Sequence, residues 1–116
     1  MIQLVPHMRV LVAVRAVDFR CGIDALAAVC RRELGEDPFS GTLFVFRNRA
    51  GTAVKLLVYD GHGYWLLMKR FSAGKLQWWP DGKSPTDAVT AQQVAILLAG
   101  GAPLPARIPE DWRRIR

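Results

Sequence analysis

Asp60 and His62 stand two residues apart in KLLVYDGHGYWLLMKRF, residues 55–71, flanking one glycine between two apolar runs. A carboxylate and an imidazole so placed could share a metal ion or move a proton. Their surroundings argue for a plainer use. Asp-Gly is the strongest short hairpin signal. His7 is the only other histidine, and neither Cys21 nor Cys30 has a second cysteine at ligand spacing. The pair is expected to form a hairpin corner, with no metal and no cofactor. A second candidate is Asp81-Gly82-Lys83, the carboxylate-x-lysine element of metal-dependent nucleases, which would need Asp60 as a further ligand. It lies in PDGKSP, which is turn composition. Asp18 and the Arg20/Asp24 pair read as a helix cap followed by an i,i+4 contact. No phosphate-binding glycine loop occurs, and Ser40, Ser72 and Ser84 suggest no triad. The chain is therefore expected not to be an enzyme, the alternative being a small nuclease built on Asp60, Asp81 and Lys83.

These residues must be held by a single α+β domain, expected over residues 1–116 as an antiparallel meander of about four to five strands packed with two helices. RVLVAV, residues 9–14, has the composition of a short buried strand. Phe19, Ile23, Leu26, Ala27, Cys30 and Leu34 then recur at helical spacing, with Asp18 placed to cap the helix and Gly35 to end it. Gly22 costs such a helix about 1 kcal/mol relative to alanine, so either a close neighbour or an irregular first turn is expected there. TLFVFR, AVKLLVY, YWLLMKR and KLQWW read as four strands joined by short turns and therefore antiparallel. PDGKSPTDAV reads as a loop. Thr90 with Gln93 forms a capping box ahead of Val94, Leu97 and Leu98, giving a second helix that stops at Gly100-Gly101. Pro103, Pro105 and Pro109 predict an extended tail over residues 102–116, with one helical turn around Trp112.

A two-residue loop at Asp60-Gly61 or Gly61-His62 sorts the meander into the same two faces. Leu43, Val45, Val54, Leu56, Val58, Trp65 and Leu67 share one, expected to be the core face against which Phe19, Ile23, Leu26 and Leu34 pack. The other carries Phe44, Phe46, Lys55, Leu57, Tyr59, Tyr64, Leu66, Met68 and Arg70. It is unusually apolar and aromatic for a surface left in water, so it is covered by the second helix or the tail, or is an interface.

Charge is concentrated in the same region. The chain has 16 Lys+Arg against 10 Asp+Glu, a formal +6. Between Thr42 and Pro80 stand Arg47, Arg49, Lys55, Lys69, Arg70 and Lys75 against Asp60 alone. Cations beside Phe44, Phe46, Tyr59 and Tyr64 could hold phosphates while the rings stack on bases. No apolar run reaches the length of a membrane span, since Arg9, Arg15 and Asp18 interrupt the first, and the same charges spoil a signal peptide. Two cysteines nine apart on one helix lie on opposite sides and cannot bridge. Free thiols suit a reducing, cytoplasmic setting.

VDFRCGIDALA, the long stretch from EDPFSG to KLQWW, and TAQQVAILLAGG resemble, in that order, the second-reading-frame accessory protein of bacterial insertion sequences of the sixty-six type. The similarity spans about residues 8–101, and its core is Asp37-Pro38-Phe39-Ser40-Gly41 followed by Leu43 to Arg49, Lys55, Tyr59-Asp60-Gly61, Gly63 and Lys69-Arg70. The resemblance implies a role in transposition, with cutting and joining left to a separate transposase, and it brings no active site with it. His62 replaces a common second acidic residue, Cys21 a lysine and Ala25 a glycine. The expected partners are the element's transposase and its terminal DNA, with no membrane and with self-association open, including a purely structural dimerising role through the apolar sheet face. The expected contacts are Arg47, Arg49, Lys55, Lys69, Arg70, Phe44, Phe46, Tyr59 and Tyr64.

Overall fold

A computed structural model describes residues 8–76 and 78–99. The elements run β1 (Val10–Ala13), α1 (Ile23–Arg32), β2 (Leu43–Arg47), β3 (Ala53–Tyr59), β4 (Tyr64–Arg70), β5 (Thr86–Val89) and α2 (Ala91–Leu98). The five strands form one sheet in the order β4-β3-β2-β1-β5. The meander is present from β2 to β4, with Val45 opposite Leu56 and Val58 opposite Trp65. The α+β class holds, but a purely antiparallel sheet does not, because β1 runs parallel to β2 with Val10 beside Leu43. Parallel neighbours need a long crossover, and the segment containing α1 supplies it.

That crossover corrects the assignment of the faces. The two residue sets are as the hairpin register dictates, yet α1 lies on the Phe44 face. Leu26 and Cys30 pack there with Leu11, Phe44, Phe46 and Leu57, and Phe19, Ile23 and Leu34 complete the cluster. The Val54, Leu56 and Val58 face is covered by α2 through Val94 and Leu98, with Leu76 and Trp79 beside them. Each helix closes one face, so six of the seven residues of β3 are buried. The sheet thus has no free apolar face on its inner strands through which to dimerise.

Local chemistry explains the ends. Thr90 and Gln93 make the full capping box, the Thr90 oxygen accepting from the Gln93 amide at 3.0 Å and the Gln93 oxygen from the Thr90 amide at 2.8 Å. Asp18 does not cap α1. Gly22 is the cap residue, and nothing lies within 4 Å of a Cβ placed on it, so the irregular start and not a close neighbour accounts for the glycine. Gly35, at φ 66°, turns the chain after α1 in a conformation that other residues adopt at a cost.

Two further expectations fail. Residues 86–89, expected in a loop, form β5 against β1. The described residues of KLQWW join no ladder. They pack by side chains instead, and the Trp79 indole N–H donates to the Ala13 carbonyl at 2.9 Å. Gly100-Gly101 and the tail lie outside the described residues.

Leu26 and Cys30 are both fully buried. Leu26→Ala should cost about 2 to 5 kcal/mol in denaturant unfolding, as for other core leucines. Burial pushes the Cys30 thiol up to about 12. In the folded protein it should resist alkylation at pH 8, where the thiolate that reacts is almost absent, and should react once denaturant is added.

Candidate functional site

Strand direction decides which loops meet. β1, β2 and β4 end, and β3 and β5 begin, at one end of the sheet. Backbone hydrogen bonds tie these loops into a rim. Val17 donates to Arg47 at 3.0 Å, Val14 to Pro85 at 3.0 Å, Phe71 to Thr52 at 2.9 Å and Leu76 to Gly51 at 2.7 Å. The turn between β2 and β3 is rigid for a local reason. The Asn48 side-chain oxygen accepts from the amides of Thr52 at 2.9 Å and Ala53 at 3.2 Å, its amide donates to the Thr52 hydroxyl at 2.9 Å, and Gly51 takes φ 72°.

The rim is basic. Arg15, Arg49, Arg70, Lys75 and Lys83 are exposed on it, and half-buried Arg47 lies 5.9 Å over the Trp79 ring with its Nε buried and unpartnered. Asp18 offsets little of this charge, because its carboxylate is taken by Arg20, with Nη2 at 2.6 Å from Oδ2. Those hydrogen bonds hold the Asp18 carboxyl down to about 2. Two adjoining clefts open here. One of about 500 Å³ is lined by Ala13, Arg15, Glu33, Leu34 and Lys83, among others. The other, of about 360 Å³, includes Asp18, Phe19, Asn48 and Arg49 in its lining. Glu33 in the first cleft, Asp81 on the Lys83 loop and half-buried Asp87 at the start of β5 are the acids near these cations.

The opposite end of the sheet is chemically different. Asp60 is the hairpin corner, its Oδ1 accepting from the amides of His62 at 2.8 Å and Gly63 at 3.0 Å, and its Oδ2 from the Trp65 indole at 2.8 Å. These bonds hold its carboxyl below the usual range, the His62 amide contributing most. Phe39, Tyr59 and Tyr64 form a ring cluster beside the hairpin, with centroids 4.9 to 5.5 Å apart.

Measured against the residues expected from sequence, the rim gathers Arg47, Arg49 and Arg70. Phe44 and Phe46 must be withdrawn as contact residues, since both are fully buried beneath α1 and cannot stack on a base. Lys55 must be withdrawn with them. Its ammonium donates to the carbonyls of Phe19 and Cys21, each at 2.9 Å, and lies 4.9 Å from the Phe19 ring, so it pins the start of α1 to β3. Lys69 is spent on the Leu98 carbonyl at the end of α2, where a cation complements the helix dipole. Tyr59 and Tyr64 stand at the far end, away from the rim. The nuclease set also fails to assemble. Asp60 is separated from Asp81 and Lys83 by the length of the sheet, about 20 Å for a seven-residue strand, too far to share a cation. Among the described residues, no three His, Cys, Asp or Glu side chains gather closely enough to hold a metal. Arg15 was not expected here, and Lys83 was expected only in the nuclease set, because only the parallel pairing of β1 and the unforeseen β5 bring their loops to the rim.

No helix among the described residues is long and apolar enough to cross a membrane. Compared with known families, residues 8–106 match the model described as IS66 Orf2 like protein. Two proteins of Sinorhizobium fredii (strain NBRC 101917 / NGR234) are similar along nearly their whole length. "Uncharacterized protein y4hO" is 35% identical over 108 residues, 92% of this chain and 90% of the relative. "Uncharacterized protein y4jC" is 30% identical over 109 residues, 94% of this chain and 85% of the relative. No solved structure matches.

The burial of Lys55 has a direct consequence. Lys55→Met keeps much of the stem but strands two carbonyls, so it should lower stability by about 1 to 3 kcal/mol while leaving surface binding unchanged. Asp60 gives a second test. Its lowered carboxyl contributes stability that is present above the unfolded value near 4 and is lost as pH falls through the folded value. Thermal melts between pH 7 and 2 should therefore lose less stability in Asp60→Asn than in the parent, the parent's extra loss falling below about pH 4.

Proposed function

This chain belongs to the family of IS66 Orf2 like proteins, and we propose from that premise that it is an accessory protein in the transposition of a bacterial insertion sequence. In this reading it grips the phosphate backbone of the element's DNA through the basic rim, while a separate transposase performs the cutting and joining. The observation that supports it is the gathering of exposed Arg15, Arg49, Arg70, Lys75 and Lys83 on loops hydrogen-bonded to one another at one end of the sheet. Cations on fixed backbone suit phosphates, which are regularly spaced and carry no sequence information. Asp18, the rim acid beside Arg20, is neutralised by it and repels phosphate little. The contact is a positioning one. The rings expected to read bases are either buried or at the far end, which favours backbone recognition over base stacking.

Binding of this kind releases condensed counterions, so affinity should fall steeply with salt. Anisotropy titrations of a duplex carrying the element's terminus, at several salt concentrations, provide the test. Arg49→Ala and Arg70→Ala should each weaken binding and lower the salt slope by about 1, and the double variant Arg47→Ala with Arg49→Ala should lower it further. Unchanged slopes in folded variants would remove DNA from this surface. An acidic face of the transposase would then be the better candidate for the same cations.

A further inference from the structure

The sheet ends on one side at β4, a seven-residue strand whose outer edge pairs with no other strand among the described residues. Long open edges recruit another strand, and proteins usually blunt them. This edge carries two of the three exposed large hydrophobic residues, Trp65 and Met68, at 43% and 54% exposure, one on each face. We propose that β4 pairs with β4 of a second copy of this chain, antiparallel and about a dyad at Leu67, joining two sheets into one. The proposal does not depend on DNA binding.

The register follows from the ladder. Asp60 donates to Gly63 and Phe71 to Thr52, so in β4 the odd-numbered residues bond to β3. The backbone groups of Tyr64, Leu66, Met68 and Arg70 therefore point outward, and none of the other described strands pairs with them. A dyad at Leu67 sets Tyr64 opposite Arg70, Trp65 opposite Lys69, and Leu66 opposite Met68. Arg70 then meets the Tyr64 ring. Lys69, whose ammonium stays on its own Leu98 carbonyl, lays only its methylene stem beside Trp65, and the remaining pairs are apolar. The Trp65 ring is already fixed by its bond to Asp60. Moving the dyad to Leu66 or Met68 takes Arg70 off the Tyr64 ring and shortens the overlap. Parallel pairing would instead stack Lys69 and Arg70 on their own copies.

The chain's own C-terminal segment is the rival occupant; Pro103, Pro105 and Pro109 share one parity, so it could ladder only through the residues between them and would leave a proline-blocked edge outside. A second copy offers an edge of matching length and complementary side chains. The antiparallel dyad sends the two basic rims to opposite ends of the pair.

Light scattering behind size exclusion should give the mass of two 12.9 kDa chains for the full-length protein at tens of micromolar. Met68→Pro removes only an outward N–H, so it should keep the far-ultraviolet spectrum and elute as one chain. Leu67→Cys places two thiols across a non-hydrogen-bonded pair and should form a covalent dimer under mild oxidation. Met68→Cys, more exposed but facing Leu66, should form several-fold less. A single chain at every concentration would overturn the proposal, as would a Met68→Pro dimer or cross-linking at position 68 equal to that at 67. If removing residues 100–116 converts a monomer into a dimer, the edge belongs to the tail and the proposal also fails.

Discussion

Everything else in this fold depends on two short strands lying side by side in the same direction. β1 and β2 are parallel, so the chain must return along the sheet between them, and it does so through α1. The return commits α1 to the Phe44 face and leaves the Val54 face for α2. It also aligns the ends of β1 and β2 with the start of β3, gathering loops from remote parts of the sequence. The basic rim is a product of that topology and not of any local motif.

Lys55 shows how burial on both faces redefines a residue's use. In a sheet with one wet face, a lysine in AVKLLVY would point to solvent and be free to meet phosphate. Here the ammonium lies under the first turn before α1, with two carbonyls and a ring as its neighbours. A buried ammonium without partners would be strongly disfavoured, so these contacts are what make the position tolerable. The same logic takes Phe44 and Phe46 out of the contact surface. What remains on the outside is cationic at the rim and aromatic at the hairpin end.

Much of the local structure was legible. Asp60-Gly61 fixed the hairpin, its parity sorted the two faces correctly, and Thr90 with Gln93 marked the start of α2 to the residue. Which helix covers which face was not legible, because an apolar stripe shows that a helix must be buried but not where. β5 escaped notice since four residues after a Pro/Gly loop give little periodic signal, and β1 supplies its ladder from far away in sequence. KLQWW misled in the other direction, its β-forming tryptophans packing against the sheet without joining it. The near-continuous apolar run of β3 was the available sign of two-sided burial, and it bore directly on Lys55. For the rim, Arg47, Arg49 and Arg70 could be suspected from charge alone, whereas Arg15 and Lys83 required the tertiary arrangement.

The proposed DNA contact lies at one end of the sheet and not at the hairpin end. Amide chemical shifts recorded while a terminal duplex is added would locate the contact residue by residue. With the rim on DNA, perturbations should concentrate at residues 14–17, 47–52, 70–76 and 81–85, and 59–64 should stay unmoved. Perturbations centred on the hairpin and the Phe39, Tyr59 and Tyr64 rings, with a silent rim, would contradict it.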